Sequence, residues 1–334
     1  MPALTPNAIA QRLIRFQTYQ EVVWGSACPA TKRWMTAKEY PTVKPYRKST
    51  VYPEARGSLA PGFASNQLRQ GGEWKLGGYA AFEELPYYFQ SVTTFQASAS
   101  QGGGFFLYTY SFPTTAQPTP SSYTIEYNQT GYPARAVGCI GQKLSLKWEA
   151  EKEVQWDLSG QAKDIDNSWS GSPAVLSDVA ITPVITPVTA LAMDASGSAS
   201  IGTNVYAGTL LSATFNFENN AKLLYSGGAL TPQLWVFGMG VKADLELELY
   251  YSTAVRNFIN SYMFQNVNSL IQLKATSGSN SLTVNFAGEL ADDPELFGQK
   301  DGAQTVKLKL NAIYDTNAAL YAQALVQNTL AATL

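Results

Sequence analysis

Between Val137 and Lys163 the sequence reads VGCIGQKLSLKWEAEKEVQWDLSGQAK, and its apolar residues recur at every second position. Leu144, Leu146 and Trp148 alternate with Lys143, Ser145, Lys147 and Glu149, and Val154, Trp156 and Leu158 alternate with Gln155, Asp157 and Ser159. Successive side chains of a strand point to opposite faces, so a period of two demands a sheet with one buried and one wet face. The charged tip, Ala150 to Glu153, belongs in water or against a partner able to pair with it. Similar alternation returns at Asp244 to Leu249 and at Thr305 to Tyr314. The pattern predicts a long β-ribbon in a chain made of two copies of one sheet-plus-helix unit, built to assemble.

Composition narrows the chemistry. At 334 residues the chain has room for two domains. Charged residues make up 14% while Gly, Pro and Tyr number 26, 17 and 19, which favours sheets and loops over helical bundles. The net charge of −2, with no dense basic run, argues against a general nucleic-acid binder, whose affinity comes from clustered Lys and Arg. Histidine is absent, which removes Ser-His-Asp and Cys-His catalysis, His-ligated zinc and the commonest base at neutral pH. Cys28 and Cys139 lie far apart and form no metal or redox motif, so both are expected as reduced thiols. The N-terminus, MPALTPNAIAQRLIRF, carries no apolar stretch of signal-peptide length, and no run reaches the roughly 20 apolar residues of a membrane helix. An outer-membrane barrel would alternate similarly but needs a signal peptide. No membrane insertion, cofactor or metal is expected.

Along the chain, Asn7 to Gln17 reads as a short helix. Tyr40 to Gln70, with four prolines, reads as a long loop or irregular ribbon. Its Arg47, Lys48, Arg56 and Arg69 make it either a solvated loop or a docking site for a neighbouring subunit's acidic surface. Strands are expected at Glu73 to Tyr79, Phe105 to Phe112 and Ser122 to Tyr127, and a helix at Ala81 to Thr94 with Pro86 in its first turn. Asn167 to Tyr206 reads as an extended linker through ITPVITPV. The second half repeats the order, with strands at Gly208 to Phe217 and Val241 to Tyr250 and a helix capped by Ser252. Three further strands follow at Leu270 to Ala275, Leu282 to Ala287 and Thr305 to Tyr314. Between its first two strands lies a long loop, Asn219 to Gly240, with Tyr225, Trp235 and Phe237. The two helical segments start about half the chain apart, at Ala81 and Ser252, a spacing that fits a duplicated domain. The tail after Asn317 reads as a short helix or an arm.

Two carboxylate groupings invite a catalytic reading. Glu83 and Glu84 sit where the positive end of a helix favours them, which explains the pair without catalysis. Asp292, Asp293 and Glu295 in DDPE read as a solvated turn; a glycosidase would need two carboxylates facing each other across a sugar.

The succession GGEWKLGGYAAFEELPYYFQSV, YTYSFPTT, SYTIEYN and YPARAVGCIGQKLSLKWEAEKEVQWDLSGQAKD resembles the major tail tube proteins of long-tailed bacteriophages. The likeness covers about residues 40–166 by motif and about 205–316 by order of elements. It implies a mainly β fold with flanking helices: two tail-tube-type domains at 41–166 and 207–316, an N-terminal arm at 1–40, a linker at 167–206 and a C-terminal arm at 317–334. Each domain would pack two sheets with one helix, and inner strands would join across subunits into a β-barrel lumen. It further implies a virion protein without enzymatic activity, made in the host cytoplasm. Such a chain would form trimeric, pseudo-sixfold rings that stack into a tube for DNA ejection. The partners implied are copies of itself, a tape measure protein, tail terminator and initiator proteins, and double-stranded DNA passing without specific binding. Lumen-facing residues are then expected among Asp244, Glu246 and Glu248 and among Glu149, Glu151 and Glu153, each trio read as one strand face. Contacts between subunits or rings are expected at Arg47, Lys48, Arg56, Arg69, Tyr225, Trp235 and Phe237. The alternative is a carbohydrate-binding or adhesive β-protein using its Trp and Tyr as stacking platforms, with a polysaccharide hydrolase centred on Asp292 and Asp293 third.

Overall fold

The computed structural model describes residues 15–27, 42–52, 64–94, 98–112, 116–128, 134–166, 169, 181–197, 200–238, 240–265 and 267–330. The first half contains β1 (Arg15–Gln20), β2 (Thr42–Tyr52), β3 (Ala64–Tyr79), α1 (Leu85–Val92), β4 (Ala99–Gly102) and β5 (Phe105–Ser111). It ends with β6 (Tyr123–Asn128), β7 (Ala134–Glu149), β8 (Gln155–Ala162) and β9 (Asp164–Asp166). The second half contains β10 (Thr189–Ala195), β11 (Leu210–Glu218), β12 (Ala221–Leu224), β13 (Leu234–Phe237), β14 (Lys242–Tyr250) and α2 (Thr253–Ser261). It continues with β15 (Ser269–Ser277), β16 (Asn280–Leu290), β17 (Glu295–Lys300), β18 (Ala303–Ala312) and β19 (Ala322–Asn328). The fold is mainly β, with packed sheets and few helices.

Antiparallel pairing builds an inner layer in the order β2-β3-β8-β7-β11-β14-β18-β17. Its alternation is the one legible in the sequence. Trp74 and Leu76, Trp156 and Leu158, Leu144, Leu146 and Trp148, Phe215 and Phe217, Leu245 and Leu247, and Leu308 and Leu310 are all buried on one side. The outer layer contains β10-β15-β16-β19-β5-β4 and the shorter set β1-β6-β7-β9. Two strands cross between layers. The first part of β7 pairs with β6 and β9 and its second part with β8 and β11; β16 begins against β15 and β19 and ends against β18.

Aromatic packing fills the space between. Tyr88 of α1 stacks on Trp156 with ring centroids 3.9 Å apart, and Phe112 stacks on Phe217 at 4.0 Å. Phe286 of β16 meets Phe215 edge-on at 6.4 Å, and because the Phe112–Phe217 stack joins residues of different halves, one core runs through both. Such pairs add to the area each ring buries. Every residue of α1 is buried, with Pro86 in its first turn, and Tyr88 donates its hydroxyl proton to Glu84 at 2.6 Å. α2 is capped by Ser252, whose hydroxyl accepts from the Val255 amide at 3.3 Å, and buries only the Val255, Phe258 and Ile259 stripe.

The pairings repeat. β1 on β6, β2 on β3, β3 on β8, β6 on β7 and β7 on β8 recur as β10 on β15, β11 on β14, β14 on β18, β15 on β16 and β17 on β18. Tyr79 ends β3 opposite Gln155 of β8 just before α1, as Tyr250 ends β14 opposite Thr305 of β18 just before α2.

Several expectations need correction. Arg15 to Gln17 belongs to strand β1, because it pairs with β6; the remainder of the expected helix, up to residue 14, and the arm's Cys28 lie outside the described residues. Tyr40 to Gln70, read as a long loop or irregular ribbon, is ribbon over its described part, residues 42–52 pairing with 64–75 with one bulge at Lys48/Ser49; Pro45 is tolerated because, among the described residues, β2 pairs on one side only within the chain. The stretch read as a linker carries β10, and Thr186–Val188 within it is a 3-10 turn. The tail is strand β19, with Ala322, Ala324 and Val326 buried between β16 and β5 in place of a helix or arm.

Gly160 shows how tightly the crossing strand fits. A Cβ there would lie 1.9 Å from the Ile140 carbonyl oxygen, beside the bulge where β7 changes layers. Gly160→Ala is expected to destabilise the fold by about 1–3 kcal/mol through overpacking, measured as a lowered denaturant midpoint with an unchanged m-value.

Candidate functional site

On the side away from the core, the inner layer presents an open polar face. Glu73, Lys75, Asp157, Lys143, Lys147 and Glu149 lie on it in the first half, because each alternates with a buried neighbour, and Lys44 joins them opposite Glu73. Glu218, Lys242, Asp244, Glu246, Glu248, Lys307, Lys309 and Glu295 continue it across the second.

Register places opposite charges side by side on this face. Lys44 lies opposite Glu73, Lys143 opposite Glu218, Glu246 opposite Lys309 and Glu248 opposite Lys307. Direct ion pairs join Lys75 to Asp157 at 3.3 Å, Lys147 to Glu149 at 2.5 Å and Lys307 to Glu295 at 3.6 Å, and Lys152 reaches the second oxygen of Glu149. Asp244 accepts from the Asn216 amide at 2.8 Å, and Glu248 from the Ser212 hydroxyl at 3.3 Å. Exposed pairs of this kind stabilise a fold little. Their larger effect is to cancel one another's field across the surface.

Near β14 and β18 the face dips into an open cleft of about 510 Å³, lined among others by Glu246, Glu248, Asp292, Asp293, Lys307 and Lys309. The DDPE turn thus approaches the β14 carboxylates, two sets that sequence reasoning kept apart. Asp292 and Asp293 are exposed, and lysines share the cleft with the carboxylates. Among the described residues no group of three or more His, Cys, Asp or Glu is arranged to hold a metal ion.

At one end of the inner layer the β2–β3 ribbon runs on past its pairing with β8, and the β12–β13 hairpin rises beside it. The two are tied together. The Tyr46 and Tyr225 hydroxyls hydrogen-bond, the Arg69 guanidinium lies 5.7 Å from the Tyr46 ring centre and 5.3 Å from that of Tyr225, and the Gln70 amide donates to the Leu230 carbonyl at 2.8 Å. Burial and the Tyr46 hydrogen bond raise the Tyr225 phenol well above its ordinary range. Trp235 and Phe237 meet edge-on at 4.8 Å, and Val51, Leu68, Leu224, Leu230 and Leu234 are exposed around them, giving this lip an apolar surface.

A family model for the phage tail tube protein matches residues 19–312. The chain belongs to that family. It is a structural component of the phage virion, part of the tail, and the family's members assemble into a tube. A search of curated proteins found no match. No helix among the described residues is long and apolar enough to cross a membrane.

In this tail tube protein, Asp244, Glu246 and Glu248 lie together on the open face of β14. The other acidic trio is split. Glu149 is on the same face, but β7 ends there; Glu151 sits in the turn with φ of 65° and Glu153 bridges to Ile185, so the three do not share a strand face. Arg47 and Lys48 lie on β2, Arg69, Tyr225, Trp235 and Phe237 lie at the lip, and Arg56 falls outside the described residues. The compensating lysines were missed as site residues. Their signal was present in KLSLK and VKLKL, where Lys occupies the wet phase of the alternation. Several of the aromatics a carbohydrate binder would expose are core residues here, including Trp74, Trp148, Trp156, Tyr88, Tyr108 and Tyr110. Cys139 is a buried free thiol, and burial pushes its pKa well up.

Hydrogen bonds from Lys147 and Lys152 hold the Glu149 carboxyl down at about 2. Its contribution to stability is therefore present above the ordinary carboxylate pKa and is lost as pH falls through about 2. Because the pair is exposed, that contribution stays below about 1 kcal/mol. A carboxyl-carbon NMR titration is expected to show a midpoint near 2 for Glu149, moving into the usual range in the Lys147→Ala, Lys152→Ala double variant.

Proposed function

We propose that the open face of the inner layer lines the channel of the tail tube, and that double-stranded DNA passes over it during ejection. The carrying observation is that this face is continuous and polar across both halves, with its lysines set opposite carboxylates. A phosphate moving past meets lysines already paired, so little counterion release is gained by lingering. The residues that meet the DNA are then Asp244, Glu246, Glu248 and Glu149 together with Lys143, Lys147, Lys307 and Lys309. Charge cancellation, in place of simple acidity, keeps the wall from holding the duplex.

The two halves act as duplicated tail-tube units, at about 41–166 and 207–316, and three chains close a ring of pseudo-sixfold symmetry. The repeated strand pairings support this reading. Rings stack end to end, with the apolar lip of β12–β13 and the outer β2–β3 ribbon seated on the next ring. Burying that surface supplies the favourable term. Tape measure protein fills the lumen during assembly, and initiator and terminator proteins cap the ends; the activity is structural, with no reaction catalysed.

Electron microscopy of the purified chain over a concentration series is expected to show tubes of uniform width with a central channel; discrete particles at all concentrations would reject the tube. Placement of the wall is tested with Glu246→Cys in a Cys28→Ser background. A small maleimide is expected to label monomer and tube alike, whereas a bulky polyethylene glycol maleimide labels only the monomer. Equal labelling of intact tubes by the bulky reagent puts Glu246 on the outside.

A further inference from the structure

Among the described residues, the inner layer ends in two strands that each pair on one side only: β2 with β3, and β17 with β18. We propose that β17 of one copy pairs antiparallel with β2 of the next, in the register that sets Glu295 opposite Lys44. This deepens the channel reading and rests on it.

The template lies inside the chain. Where the two halves meet, β7 pairs with β11. By the repeated pairings β7 is the counterpart of β17, each lying beside the ribbon strand β8 or β18, and β11 is the counterpart of β2, each lying beside β14 or β3. A β17 to β2 junction between copies therefore repeats the β7 to β11 junction within one.

The register transfers residue by residue. With Gln155 and Thr305 matched through Tyr79 and Tyr250, Asp157 matches Lys307. Asp157 lies opposite Ser145, and Lys307 opposite Glu295, so Glu295 takes the place of Ser145. On the other side Glu73 matches Asp244; Lys44 lies opposite Glu73 and Asn216 opposite Asp244, so Lys44 takes the place of Asn216. Within the chain Asn216 lies opposite Ser145. Between chains the same position pairs Lys44 with Glu295.

Charge was not used to find this register, yet agrees with it. The β2 edge carries exposed Lys44, Arg47 and Lys48, while β17 and the turn before it carry exposed Asp292, Asp293 and Glu295. Two residues further the transferred register brings Tyr46 opposite Asp293, which puts Arg47 and Lys48 beside the DDPE turn. Pairing β2 with β2, or β17 with β17, would instead set like charges together, which is destabilising. This register sets Pro45 opposite Pro294, so that position contributes no N–H···O bond to the junction, and the short ladder keeps either open edge from recruiting strands indiscriminately. Only the head-to-tail junction remains favourable, and such a junction closes a ring when the rotation between copies returns to the first.

The test is a Lys44→Cys, Glu295→Cys chain, assembled and then oxidised with copper phenanthroline. Disulfide-linked dimers and higher multiples are expected, absent in either single variant. As a second measurement, Lys44→Glu or Glu295→Lys alone is expected to raise the concentration needed for assembly several-fold, and the double charge swap to restore it. Wild-type tubes whose cysteine variant assembles without cross-linking, and whose charge variants behave as wild type, overturn this junction while leaving the channel reading intact. A wild-type chain that forms no rings or tubes removes the channel reading and the junction with it.

Discussion

β7 is hydrogen-bonded along both flanks of its second half, to β8 on one side and β11 on the other. Everything in the inner layer hangs from that line. Remove the β7 to β11 ladder and the layer becomes two four-stranded pieces, each with one new unpaired edge. Keep it, and the buried phases of the six strands between the edges agree, so Trp148, Phe215 and Leu247 face one core. A one-residue slip would turn Lys147 and Glu149 inward, which the cost of burying unpaired charge forbids.

The strands that alternate strictly were legible in the sequence because their two phases differ so sharply in polarity. KLSLKW and DLELEL admit one register relative to a core. What stayed hidden had weaker contrast. β19 alternates Ala322, Ala324 and Val326 with Gln323, Leu325 and Gln327, and alanines signal burial poorly because they also favour helix. β17 was lost behind Pro294 and a bulge between Glu295 and Gly298. β2 was masked by its proline, whose missing donor matters only where strands pair on both sides.

The acidic residues of β14 were readable as one face, but their lysine neighbours come from a strand some sixty residues later, and only register reveals that Lys309 meets Glu246 and Lys307 meets Glu248. Likewise the DDPE turn and β14 share a cleft because β18 lies between β14 and β17, a fact of topology. The fold and family were within reach of pattern alone; the electrostatic character of the face was not, because charge balance is a property of pairs.

β5 in the first half finds its long-strand partner in β19, within a few residues of the end of the described chain. On the ribosome this means that the first half is synthesised, and can collapse around Trp156 and Tyr88, while one flank of β5 waits for a strand more than two hundred residues further along the chain. Folding that depends on so late a contact completes only once β19 has been made. The arrangement makes the first half dependent on the second: made alone, it would keep a raw flank on β5 where Ala324 and Val326 otherwise lie.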